Sequence, residues 1–161
     1  MKHHIIDATG KLQINIKARQ WCRLPYPDHP DGCLNYGRRE ICPPKIKTID
    51  KVFNLKMPHW LVAVEYNMVD HIEKMKTGHP GGSVRKLECI SYWQKMAKKE
   101  LNRTANEVCR LNAGTICNTC PEALGVDMIA TGQKLGLPIQ PKPGDTIFRI
   151  ALVGYPNENL S

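Results

Sequence analysis

Between Trp21 and Pro44 the chain carries Pro25, Pro27, Pro30, Pro43 and Pro44 together with Gly32 and Gly37. Proline fixes φ and lacks a backbone donor, so this stretch cannot form an α-helix and is poorly suited to an inner strand. An irregular segment of this length inside a compact domain needs an organiser. Cys22, Cys33 and Cys42 lie within it.

A second irregular stretch, after a helix end near Cys109 and Arg110, contains Gly114, Cys117 and Cys120. Ten residues separate Cys22 from Cys33 and eight separate Cys33 from Cys42, whereas seven separate Cys109 from Cys117 and two separate Cys117 from Cys120. Only the last spacing is the C-x2-C arrangement that lets two thiolates reach one metal from a tight turn. Cys42 and Cys120 are each followed directly by proline, like the cysteine that closes the bacterial ferredoxin run. The remaining cysteine, Cys89, stands beside Ile90 on the expected long helix and reads as a small buried hydrophobe.

The opening MKHHIIDATGKL has no apolar core of signal-peptide length and no small-residue cleavage site, so a cytoplasmic chain is expected. Seven cysteines in a reducing compartment make a poor disulfide framework, and the odd number would leave one unpaired. Metal binding is therefore the leading explanation. Thiolates select iron–sulfur clusters or zinc over calcium and magnesium. Structural zinc sites usually present two close pairs about 12 to 20 residues apart, and the first group contains no pair. Its wide single spacings are easier to reconcile with one [4Fe-4S] cluster, with zinc as the alternative. The expected ligands are Cys33, Cys42, Cys117 and Cys120, then Cys22, with Cys109 and His29 in reserve.

At 161 residues, 42% hydrophobic and 24% charged, the chain reads as one folded domain over 1–161 rather than a disordered or fibrous segment. The longest apolar run, Trp60 to Val64, is far short of the roughly 20 residues that span a bilayer. Alternating apolar positions over Ile5 to Lys17 predict a hairpin whose second strand carries Leu12, Ile14 and Ile16. Further strands are expected over His59 to Tyr66 and Thr146 to Val153. Helices are expected from Met68 to Lys76, from a Ser83 cap through Leu87, Trp93, Ala97 and Leu101, and from Val126 to Leu135; Thr104 would cap an extra turn or two. The fold class is α+β or α/β, with a short sheet, three helices and two cysteine-bearing irregular loops. Long helical connections would allow parallel neighbours.

Two functions follow from these residues. A cluster with only three cysteine ligands would leave an open iron for sulfur or nucleobase chemistry, with Arg38 and Arg39 gripping an anionic small molecule or nucleic acid. Four ligands would instead mean electron transfer or pure structure. The alternative is a zinc-stabilised binding module that uses Lys95, Lys98, Lys99 and Arg103 to engage nucleic acid or an acidic protein. A net charge of +8 suits an anionic partner, although only 6% aromatic residues leave little for a stacking platform. There is no G-x4-G-K-S/T and no G-x-G-x2-G, so the familiar phosphate loops are missing, and the histidines form no H-x3-H or H-E-x2-H pattern.

The segment WCRLPYPDHPDGCLNYGRREICPP, residues 21–44, resembles the cysteine-rich signature of a small family of predicted metal-binding proteins of unknown function, in which a CPxYG-like element precedes CPP. Residues 117–139, CNTCPEALGVDMIATGQKLGLPI, resemble that family's other block, with its GVDV-like element and helix ending in G-LP. This chain has Leu34 where the family tends to have proline, a longer first spacing and a compressed second block. The resemblance implies a bound metal or cluster and no particular reaction.

Overall fold

A computed structural model describes residues 1–25, 29–83, 90–142 and 144–158. Four strands, β1 (Lys2–Asp7), β2 (His59–Asn67), β3 (Ile116–Asn118) and β4 (Thr146–Gly154), form one antiparallel sheet in the order β1-β2-β4-β3. The helices are α1 (Ile49–Val52), α2 (Met68–Gly78), α3 (Ile90–Leu111) and α4 (Met128–Lys134), with 3-10 segments at Ile16–Arg23 and Pro121–Leu124. The fold is α+β. No helix among the described residues is long and apolar enough to cross a membrane.

The apolar run of β2 is explained by burial of both its faces. Val62 and Val64, with Ala151 and Val153 of β4, pack under Leu101, Ala105 and Val108 of α3. Leu61, Ala63 and Leu152 point the other way, into a core with Ile49, Phe53, Leu124, Val126 and Met128. The long helix therefore lies on one side of the sheet and the irregular cysteine-bearing chain, with α4, on the other. At the end of β2, the Asn67 side chain accepts from the amides of Val69 (2.9 Å) and Asp70 (3.2 Å), switching strand to helix without a loop.

Three expectations are corrected. Ile5 to Lys17 is not a hairpin: β1 pairs with β2 from Lys2↔Glu65 to Asp7↔Trp60, and the supposed second strand keeps only the isolated bridge Ile14↔Val126. Asn15 then caps the first 3-10 helix by accepting from the Lys17 amide at 3.1 Å, so strand propensity at Ile14 and Ile16 loses to capping chemistry. No neighbours in the sheet are parallel: β2 and β3, joined through α2 and α3, do run in the same direction, but β4 is inserted between them and pairs antiparallel with both. Thr104 caps nothing; it sits inside α3 and its hydroxyl donates to the Glu100 carbonyl at 3.0 Å, the back-bonding open to a threonine within a helix. The Ser83 cap leads into residues 84–89, and those residues, including Leu87 and Cys89, lie outside the described residues.

Leu101 is completely buried between α3 and the sheet. Leu101→Ala is expected to lower the unfolding free energy by about 2–5 kcal/mol, read by chemical denaturation.

Candidate metal centre

The first 3-10 helix ends in the sequence Trp21-Cys22-Arg23, and the chain returns so that the Cys33 amide donates to the Cys22 carbonyl at 2.7 Å. That return requires Gly32, since only glycine takes a left-handed conformation freely and lets backbone come this close. Its φ is +82°, and a Cβ there would stand 2.5 Å from the Cys22 carbonyl oxygen and 2.7 Å from the Arg23 backbone. Successive turns follow: Tyr36 donates to the Cys33 carbonyl (3.1 Å), Gly37 to Pro43 (2.7 Å) and Cys42 to Arg39 (3.0 Å). Pro43 is fully buried and closes the segment. The Arg19 guanidinium, reaching back from the 3-10 helix, donates to the Ile46 carbonyl at 2.7 Å and fixes the far end.

A short non-sheet ladder joins this segment to the second cysteine stretch. Gln13 accepts from the Asp127 amide (2.8 Å), Asn15 donates to the Gly125 carbonyl (2.8 Å), and Ile14 bridges Val126 between them. The 3-10 helices Ile16–Arg23 and Pro121–Leu124 consequently pack together. Gly125, at φ +92°, lets the second of them come close to Ile16. Cys120 immediately precedes that helix, so this docking carries it to the first cysteine group.

The electrostatics register the result. Burial, then the neighbouring Cys33, Cys120 and Cys42 thiols and the Glu122 carboxyl, push the Cys22 thiol up. Burial and Cys33 raise Cys42, opposed by Arg39. Burial, Glu122 and Cys42 raise Cys120, opposed by Arg149. Cys22, Cys33, Cys42 and Cys120 are therefore one group of neighbours, contributed by both loops. Cys117 is not among them. It pairs with Val153 in the sheet register, on the face covered by α3, and its thiol meets Asn106 Oδ1 at 3.9 Å. The chain then turns to the opposite face before Cys120, which separates the C-x2-C pair. Among the described residues no three His, Cys, Asp or Glu side chains are gathered as tightly as one metal ion requires.

Cys22, Cys33, Cys42 and Cys109 are half-buried; Cys117 and Cys120 leave residue surface open to solvent, although protein packed around the Cys120 sulfur still desolvates it, and all six are free thiols. Arg38 and Arg39 are exposed on the turn between Cys33 and Cys42, and Arg39 is the one felt by a thiol. His29 lies at the start of that return, its carbonyl accepting from Gly32 at 3.2 Å. On α3, Lys95, Lys98 and Lys99 are exposed, but Arg103 is engaged by Glu100 (2.6 Å) and Glu107 (3.6 Å), which removes it from an open basic face.

Glu122 and Arg149 escaped the sequence reading. They line a cavity of about 260 Å³ with Cys120, Thr119, Gln140 and Phe148. Burial raises the Glu122 carboxyl, partly offset by Arg149. The signal for Arg149 was present: it is the one charge in the otherwise apolar run Ile147 to Val153.

Two measurements follow from this geometry. Gly32→Ala is expected to cost about 1–3 kcal/mol from left-handed strain, more with the clash, and to increase labelling of Cys22 and Cys33. In metal-free buffer with chelator, the raised thiols release their protons later folded than unfolded, so stability is greatest below the ordinary thiol pKa. It should fall as pH rises through that range, and a denaturation midpoint followed against pH reads this directly.

The chain matches no family model, no curated protein and no solved structure.

Proposed function

We propose that this is an iron–sulfur protein whose [4Fe-4S] cluster is held by Cys22, Cys33, Cys42 and Cys120. The observation that carries the reading is the effect of these thiols on one another, exerted from two loops distant in sequence. Cys22, Cys42 and Cys120, raised by burial and by neighbouring thiols, occupy a poor environment for uncompensated thiolates, and a bound cationic centre supplies the compensation. Cysteine side chains are a donor set for iron–sulfur clusters and for zinc alike. Structural zinc sites usually present two close cysteine pairs, whereas Cys22, Cys33 and Cys42 are widely and singly spaced. That sequence spacing, and the prolines after Cys42 and Cys120, favour a cluster.

With four cysteine ligands the site is closed, and the group when bound supplies one-electron chemistry or structural cross-linking rather than an open iron. The chain's own residues shape that site. Arg39 and Arg149 offset thiolate charge, the buried Pro43 holds one wall, and Gly32 allows Cys33 to approach Cys22. Exposed Arg38 remains for an anionic small molecule or nucleic-acid backbone. Free thiols of this kind persist in a reducing compartment such as the cytoplasm.

Protein purified without oxygen is expected to be brown and to contain iron and acid-labile sulfide. Colourless protein with stoichiometric zinc would establish the alternative, a zinc-stabilised binding module. Cys42→Ala and Cys120→Ala are expected to lose the metal and to fold in lower yield, because binding and folding are coupled. Wild-type metal content in both variants would refute this ligand set.

A further inference from the structure

The thiols left outside that group are close to each other. Cys109 lies near the C-terminal end of α3 and packs against the apolar cluster formed by Leu101, Ala105, Val108 and Val153. Cys117 is on β3 directly opposite Val153, so it projects to the same side of the sheet. Between them the chain makes a tight reversal. Asn112 donates to the Val108 carbonyl at 3.1 Å and accepts from the Thr115 amide at 3.2 Å, with Gly114 at φ +86° completing the turn. Helix and strand are thus clamped at fixed separation, and α3 packs on β3. The Cys117 thiol meets Asn106 Oδ1, one turn before Cys109 on the helix, at 3.9 Å, and Cys109 is near enough to act on it electrostatically. Both sulfurs are free, Cys109 half-buried and Cys117 exposed.

We propose that Cys109 and Cys117 are a redox-active dithiol, a second sulfur site distinct from the four-cysteine group, which closes to a disulfide by exchange with a small disulfide such as oxidised glutathione. The exposed Cys117 thiolate attacks one sulfur of glutathione disulfide; the S–S bond breaks and one glutathione thiolate leaves, taking up the proton lost by Cys117. Cys109, as thiolate, then attacks Sγ of Cys117 and displaces the second glutathione, which takes the proton from Cys109. Two cysteine thiols are oxidised to one disulfide and one glutathione disulfide is reduced to two thiols. The half-buried position of Cys109 suits the second, resolving attack, which needs access only to its neighbour. The bridge would tie the end of α3 to β3, three residues before Cys120.

The test uses the full chain, purified under reducing conditions without oxygen, exposed to oxidised glutathione, alkylated and digested with trypsin. Cleavage after Arg103, Arg110 and Lys134 separates the two cysteines, so the expected product is peptide 104–110 joined to peptide 111–134, with fragmentation placing the bond between Cys109 and Cys117. Cys109→Ser should instead trap glutathione on Cys117. Recovery of both cysteines alkylated, or a bond from Cys117 to Cys120, would overturn the proposal. Metal content separates this proposal from the preceding reading. Cys109→Ser and Cys117→Ser should keep the wild-type amount, and loss in either would assign the pair to the metal centre and overturn the dithiol. If the wild-type chain holds no metal, the four-cysteine reading fails while the peptide map still decides this one.

Discussion

The docking of two short 3-10 helices, Ile16–Arg23 on Pro121–Leu124, is the constraint on which the candidate site depends. It is enforced by the bridge Ile14↔Val126 and its flanking bonds, Asp127 to Gln13 and Asn15 to Gly125, each 2.8 Å. Neither irregular segment has a regular partner of its own, so each would carry unsatisfied backbone groups without the other. Once joined they bury Leu124 and Val126 against the sheet and bring Cys120 to Cys22. Backbone pairing, apolar burial and the position of the thiols are thus one arrangement rather than three.

The sheet divides the chemistry. Because paired residues of antiparallel strands share a face, Cys117 is committed to the α3 side by its register with Val153, where Cys109 waits. Two residues after the end of β3 the backbone has crossed to the opposite side, and Cys120 belongs to the loop layer. A motif that reads in one dimension as a single chelating pair becomes two half-sites on opposite sides of a sheet. Two charges follow the same partition: Arg39 acts on the loop-side thiols, while Arg103 is occupied by the carboxylates of its own helix. Arg149 departs from it, since its register partner Val64 faces α3 while Arg149 itself lines the cavity with Cys120 and Glu122.

Much of this was legible beforehand where the physics is local. The apolar run of β2, the strand from Thr146 and the helical spacing of Trp93, Ala97 and Leu101 are local signals, and strand, strand and helix lie over those residues. The irregularity of the proline-rich segment was also legible, apart from Trp21 to Arg23, which finish a 3-10 helix that begins upstream. Non-local pairing was not. Ile14 and Ile16 alternate like a strand, but the partner for β1 is the distant β2, and nothing near Thr9 reveals it. The same limit hid the regrouping of the cysteines, since sequence spacing reports chain length between sulfurs and says nothing of which face each reaches. Arg149 could have been noticed as a charge in an apolar strand; Glu122 could not, because a glutamate after a proline is ordinary until burial raises it.

In the function proposed above, four cysteines from two loops share one multi-iron group. Native mass spectrometry of the intact chain, isolated without oxygen, tests this most directly. The expected result is a single adduct with the mass of four irons and four sulfides. An adduct of one zinc, or a chain that carries no inorganic mass at all under those conditions, would contradict it.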